Sequence, residues 1–302
     1  MILVTAAHGH QGRLLVPRLA AAGFRVRAAR ASPAREDELL KLGAAEVFVG
    51  DLSDLATYSR AMQGVDAVYH VGPGAIARER EMGFAMVEAA RDAGVRHVVF
   101  SSVLHPTIDI VQHRYKRDIE EGLIGSGLNY TILRPCEYMM PEVYVAPVLA
   151  TGEYPVFWKL RPDLRRSLID IGDLADVAVK VITEGARHYQ ASYDLAGPDK
   201  LTSHEIARIL SRVIGRKITA VQRTPEDLLR VLFGTDEPSE ELRHQFDVVR
   251  SIIRWNSTHE FVGNPNVLTW LLGRPPASFE AFTERTYRAL NAGARLEGQA
   301  NV

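Results

Sequence analysis

The 302-residue chain has one cysteine, Cys136, no apolar run of transmembrane length and no long stretch of lysine or arginine. A single thiol excludes an intramolecular disulfide framework and a cysteine zinc site, and no metal centre is expected. Without a long apolar run no membrane-spanning segment is expected. The 36 Lys+Arg nearly balance the 37 Asp+Glu, for a formal net charge of −1, which leaves no electrostatic footprint for nucleic acid. A strand beginning at Met1 leaves no room for a signal peptide, so a cytoplasmic location is expected. Internal repeats and low-complexity tracts are also missing. What remains is an ordinary globular composition, 46% hydrophobic, and a length suited to one large domain or two moderate ones.

The first thirty residues organise the rest. Met1–Thr5 is short, apolar and cut off by a turn-forming run, as a buried strand is. Ala6–Gly12 is a tight A-x-x-G-x-x-G loop containing His8, His10 and Gln11. From Gly12 an amphipathic helix runs through Leu14, Leu15, Leu19 and Ala22 to Gly23, and Phe24–Ala29 forms a second strand. A strand–loop–helix turn with these glycines points unpaired N–H groups and a partial positive charge at an anion, which suits a pyrophosphate. Gly9 admits close backbone approach, Gly12 lets the helix lie against the strand, and Ala6 stands where the first glycine of the fingerprint usually sits. The alternative is a glycine-rich turn without a ligand. The two loop histidines are close in sequence, but their place among the phosphate contacts, His10 included, argues against a metal site.

The second strand ends in Arg27-Ala28-Ala29-Arg30-Ala31-Ser32, with Arg35 behind and no acid before Glu36. NAD sites place Asp or Glu about 20 residues beyond the loop. A guanidinium at this tip instead matches a 2′-phosphate. NADP(H) is therefore expected over NAD(H), with Arg30 as the main contact, unless the tip is simply a solvated basic end.

Strands and helices go on alternating. Glu46–Gly50, Asp66–Val71 and Val95–Ser101 read as strands, separated by helices over Glu36–Leu42 and Arg80–Ala93. This pattern predicts an α/β fold, a Rossmann-type doubly wound parallel sheet. Ligands in such sheets bind at the carboxyl ends of the strands, so Ala6–Gly12, Arg30, Asp51, Gly72 and Ser101–Ser102 are expected on one crevice. Asp51-Leu52 can meet the adenine, or this segment can serve a helix capped by Ser53 or Asp54. Gly72-Pro73-Gly74 allows close backbone approach. Ile110–Ser126 reads as a helix on which Gln112, His113 and Lys116 share a face, with Tyr115 turned away. That face either serves the cofactor or is solvated. Asn129–Leu133 is a further strand, with a tip running Arg134-Pro135-Cys136-Glu137-Tyr138-Met139-Met140, where Tyr138 and the methionines are either cleft walls or core.

On these residues the chain resembles the NmrA-like family of atypical short-chain dehydrogenases/reductases. The resemblance rests on the A-x-x-G-x-x-G loop, Arg30, the run H-x-x-K-R-x-I-E-E-x-L-I-x-S-G-L-x-Y-T-I-L-R-P from His113 to Pro135, and Asp170–Ala178, and it is weakest beyond Thr219. It implies an NADP-binding Rossmann domain over 1–150, completed by parts of 168–197, with a smaller, mostly helical substrate or lid part over 151–302. Gly9, Gln11 and Gly12 would meet the pyrophosphate, Arg30 the 2′-phosphate, Lys116 the nicotinamide ribose and Pro135 the nicotinamide amide side. The departure from the family pattern is Gln112, four residues before Lys116, where short-chain reductases carry the proton-donating Tyr. Ser102 stands near the expected catalytic Ser or Thr, and His113 is the candidate replacement donor.

Beyond Gly152 the chain is less regular. Tyr193–Ala196 reads as a late strand, Leu201–Gly215 as a helix opened by a Thr202-x-x-Glu205 capping box, Thr224–Leu232 as another helix, and Arg243–Arg254 has helical spacing. Trp158, Trp255, Phe261, Trp270 and Leu271 are explained either as an aromatic lid or, more simply, as core. The expected activity is NADPH-dependent oxidoreduction of a small aromatic or quinone-like molecule, with Lys116, His113, Gln112, Ser102 and Tyr138 at the reacting end. Two alternatives stand beside it: a non-catalytic NADP(H) sensor, and a cofactor-binding enzyme doing non-hydride chemistry such as oxygenation. The expected partner is a small molecule, and the chain is expected to be a monomer or homodimer.

Overall fold

The computed structural model describes residues 1–33, 36–52, 54–74, 76–240 and 242–300; Arg35 and Ser53 lie outside them. The first half of the chain alternates β1 (Ile2–Val4), α1 (His10–Ala21), β2 (Val26–Arg30), α2 (Glu36–Lys41), β3 (Glu46–Val49), α3 (Leu55–Ala61) and β4 (Ala67–Val71). It continues with α4 (Glu79–Asp92), β5 (His97–Ser101), α5 (Val111–Ile124), β6 (Tyr130–Pro135) and β7 (Glu137–Met139). Next come α6 (Pro141–Tyr144), α7 (Ala146–Thr151), β8 (Glu153–Val156), β9 (Arg166–Asp170), α8 (Ile171–Glu184), β10 (Ala191–Leu195) and β11 (Lys200–Leu201). The chain ends with α9 (Ser203–Ile214), β12 (Thr219–Gln222), α10 (Pro225–Phe233), α11 (Arg243–Asn256), α12 (Asn266–Leu272) and α13 (Phe279–Ala300).

The main sheet has seven strands in the order β10-β6-β5-β4-β1-β2-β3, all parallel. Its central strands are apolar on both faces because both are covered by helices. Along β1, Ile2 and Val4 join Leu15, Val16, Leu19, Leu174 and Val177 of α1 and α8 on one face. Leu3 turns the other way, to Tyr58, Met62, Met86, Ile119 and Leu123 of α3, α4 and α5. The strand order reverses between β1 and β4, and the crevice outside their carboxyl ends is where such a sheet takes a ligand.

Most expected elements lie within a few residues of their expected ends. The helix after the glycine loop starts at His10, before Gly12, and the last of the expected inner strands continues through Pro135. The part beyond Gly152 is mostly helical but also holds short strands where the sequence looks irregular: β8 pairs with β12, and β9 pairs with β11 and with β7 from before Gly152. These strands are two to five residues long, too short to show a period of two. A second core of Val148, Tyr154, Val156, Leu210 and Phe279 packs this part.

Candidate active site

A cavity of about 620 Å³ opens at the carboxyl ends of β1, β4, β5 and β6, between the Rossmann sheet and the C-terminal part. Its sheet side is lined by Ala6, Gly9, His10 and Gln11, by Gly72 and Pro73, and by Ser101, Ser102 and Pro135. Gln112, His113 and Lys116 of α5 enter from one flank and Tyr138 of β7 from the other. Gly12, Arg30, Asp51 and Leu52 are outside this cavity; Gly12 is buried behind the loop, and the other three stand at or just beyond the ends of β2 and β3.

The loop fits a pyrophosphate. Gly9 caps α1 without any side-chain hydrogen bond, and the first turn carries no acid, so its N–H groups face the cavity mouth uncapped. A Cβ on Gly12 would stand 2.5 Å from the Cα and carbonyl oxygen of Ala7, a separation only glycine permits. Ala6 adopts a left-handed φ of +48°, the conformation for which the fingerprint glycine is suited. His8 lies 3.1 Å from Glu38, and His10 lies 3.3 Å from Glu142. Arg30 fits a further anion: Nε and Nη1 of its guanidinium are buried and make no hydrogen bond among the described residues. The α3 cap is Asp54, whose carboxylate accepts from the Ala56 N–H; Asp51 is exposed beyond the end of β3.

The shared face of Gln112, His113 and Lys116 is not a solvated one, since His113 and Lys116 are buried. The Lys116 ammonium reaches beneath Gly72 to Oε1 of Glu79, 2.7 Å away, and the Glu79 side chain is fully buried. A Cβ on Gly72 would stand 3.0 Å from Lys116 Nζ, so the glycine leaves room for this pair. The Lys116 ammonium also lies 5.3 Å from the Phe100 ring centroid. His70, on β4, has its pKa pushed down to about 3 by burial and by the Lys116 charge. Tyr115 turns away, as expected, and stacks on His244 of α11.

His113 Nδ1 lies 3.0 Å from the carbonyl oxygen of His105. A carbonyl only accepts, so Nδ1 carries the proton and Nε2 keeps its lone pair. Burial holds the His113 pKa down to about 4, leaving the ring neutral at pH 7. This arrangement makes His113 a hydrogen-bond acceptor and not the proton donor its ordinary pKa suggests. The Ser102 hydroxyl donates to Glu120 at 2.5 Å, and Glu120 in turn takes two hydrogen bonds from Arg134. Ser102 is thus committed beneath the cleft. Gln11 is also committed: Tyr69 donates to its carbonyl at 2.6 Å and its amide donates to Tyr138 at 2.7 Å. Only its backbone N–H is left for a phosphate. Burial raises the Tyr138 phenol to about 12.

The opposite wall comes from the C-terminal part and contains Trp158, Arg166, Ile252, Asn256 and Phe261. Phe261 is fixed by backbone hydrogen bonds with Arg165 and Ser167 and meets His105 and His113 edge-on. Of the aromatics expected to be core, Trp158 and Phe261 line the cavity, Trp255 stacks on His259, and Trp270 is 72% exposed. Glu79, Glu120 and Arg166 were not legible as site residues, because a charged residue gives no sign in sequence that it will be buried.

The NmrA-like family model matches residues 1–256. The (4-alkanoyl-5-oxo-2,5-dihydrofuran-3-yl)methyl phosphate reductase of Streptomyces griseus is 34% identical over 222 residues, 72% of this chain and 75% of that one. The NAD(P)H azoreductase of Xenophilus azovorans is 28% identical over 295 residues, 97% of this chain and 100% of that one. The crystal structure of an NADPH-dependent quinone oxidoreductase from Escherichia coli, complexed with NADPH, superposes with a TM-score of 0.75 at 23% identity. It covers 95% of this chain and 100% of that chain, and at this identity it shows a shared fold. No helix among the described residues is long and apolar enough to cross a membrane.

Proposed function

Because the chain belongs to the NmrA-like family, we propose that it is an NADPH-dependent oxidoreductase whose acceptor is a small, flat, conjugated molecule, quinone-like or aromatic. The observation that carries this reading is the one cavity in which the glycine loop, the β4 tip and Lys116 face an aromatic wall. The names of relatives support it: they are reductases of an unsaturated lactone and of azo compounds and, in the Quinone oxidoreductase 2 of Escherichia coli, an enzyme of quinones.

The N–H groups of the Gly9–Gly12 turn would hold the pyrophosphate, Arg30 the 2′-phosphate, and Asp51 and Leu52 the adenine side. Gly72, Pro73, Ser101 and Pro135 would flank the nicotinamide, and Lys116 would reach its ribose. When bound, the nicotinamide supplies a hydride; the protein orients and shields it. Charge that develops on the acceptor oxygen is met by the Lys116 ammonium, which is paired with Glu79. Lys116 is also the acid of this reading, in place of the tyrosine that Gln112 replaces. The Tyr138 hydroxyl accepts from Gln11, so its own proton can be directed at the acceptor. The neutral His113 offers Nε2 to a donor on the substrate.

Loss of NADPH absorbance with quinones, enones and aldehydes tests the reading, with Lys116→Ala as control. Multiple turnovers that depend on Lys116 support it. Tight NADPH binding without consumption supports the second reading, an NADP(H) sensor, which Gln112 in the tyrosine position favours.

A further inference from the structure

The far wall of the cavity is built around an ion pair. Arg166 Nε donates to Oε2 of Glu137 at 2.5 Å and Nη2 contacts the same oxygen. Tyr144 donates to Oε1 at 2.5 Å. Tyr144 itself stacks on Tyr154 and meets Phe279 edge-on, so the carboxylate is fixed from behind. The guanidinium carbon lies 4.2 Å from the Trp158 ring centroid and 6.0 Å from that of Phe261. Both rings and Arg166 line the cavity. Arg166 Nη1 and the amide of the buried Asn256 make no hydrogen bond among the described residues.

We infer that this wall is a substrate subsite in which the Glu137–Arg166 pair admits neutral carbonyl acceptors of flat aromatic molecules and rejects carboxylates. The inference rests on the reading of the cleft as the place where substrate meets cofactor, and it adds which acceptor the far wall selects. Arg166 brings donors with fixed planar geometry, but Glu137 already neutralises its charge. An anion entering between Trp158 and Phe261 loses its hydration and meets a net-neutral pair, with a carboxylate close behind the guanidinium. A carbonyl oxygen loses little hydration and gains the Nη1–H, with Asn256 as a second polar group. The aromatic rings favour a flat ligand.

The test uses the full chain saturated with NADP+ and two ligands of equal size, 2-acetylnaphthalene and 2-naphthoate, followed by isothermal titration calorimetry. The wild type is expected to bind the ketone at least tenfold more tightly than the carboxylate. Glu137→Gln retains a partner for Tyr144 and leaves the Arg166 charge uncompensated. It is expected to gain at least tenfold for 2-naphthoate and change less than threefold for the ketone. NADP+ binding with equal or tighter wild-type binding of naphthoate, or with neither ligand bound, overturns the inference alone, whether or not the variant folds. Unchanged naphthoate affinity in a folded Glu137→Gln also overturns it. A chain that binds no NADP+ overturns both this inference and the reading of the cleft.

Discussion

Lys116 Nζ and Glu79 Oε1 stand 2.7 Å apart beneath the β4 tip, with the Glu79 side chain fully buried. A lone ammonium here would lose much of its hydration, and the carboxylate partner offsets that cost where the nicotinamide ribose is expected. Glu79→Gln is expected to destabilise the fold by about 3–5 kcal/mol, as breaking a buried pair does. It should also lower NADPH turnover at least tenfold at neutral pH. Replacing both partners, by Glu79→Leu with Lys116→Met, is expected to recover much of the stability and none of the turnover. Urea unfolding and NADPH consumption on the same variants separate the two effects.

Arg30 ends β2 with two guanidinium nitrogens that have no hydrogen-bond partner among the described residues. Hydrogen bonds to a charged group contribute about 1.5–3 kcal/mol, so Arg30→Ala is expected to weaken NADPH binding by roughly 10- to 100-fold. NADH affinity should hardly change, since it lacks the 2′-phosphate. An unchanged NADPH/NADH affinity ratio removes Arg30 from the assignment.

Ala6 and Gly12 predict opposite outcomes from one-methyl changes. Ala6→Gly relieves a left-handed alanine, which costs about 1–2 kcal/mol, against some added chain entropy. A net gain of about 0.5–1 kcal/mol with NADPH affinity retained is expected. Gly12→Ala drives a methyl into the Ala7 backbone and is expected to abolish NADPH binding. Thermal unfolding with and without NADPH measures both.

Ser102→Ala removes a buried hydrogen bond to Glu120 and leaves the two from Arg134 in place. A loss of about 1–2 kcal/mol in stability is expected, with kcat within threefold of wild type. A hundredfold fall in kcat at unchanged stability restores Ser102 to the catalytic group.

Three buried histidines contribute to the acid sensitivity of the fold. Burial lowers His70 from 6.5 to about 3 and lowers His97 and His113 to about 4. Between pH 6.5 and about 4 the unfolded chain takes up protons that the folded chain does not. The stability these groups contribute is therefore whole above pH 6.5 and is lost as pH falls towards 4. Each adds a slope of about 1.4 kcal/mol per pH unit inside that window. Melting temperatures from pH 7.5 to 4.5 should fall on the acid side, and a flat profile excludes the three buried neutral rings.

The sequence determined the Rossmann architecture, because fully apolar strands separated by helices with glycine stops fit only a sheet covered on both faces. It also placed the glycine loop, the Arg30 tip and the α5 face carrying Gln112, His113 and Lys116 on one edge, since local spacing and strand direction fix those positions. What each side chain does there was decided by contacts between residues far apart in the chain. Gln11 is committed to Tyr69 and Tyr138, Ser102 to Glu120, and Lys116 to Glu79. The His105 carbonyl and the ring of Phe261, 148 positions beyond His113, orient that histidine, and burial keeps it neutral. The cavity wall of Trp158, Arg166 and Phe261 comes together only when short strands and a single backbone bridge bring their segments to the cavity. No periodicity records such a meeting, because burial and pairing of charged groups depend on tertiary packing and not on local pattern.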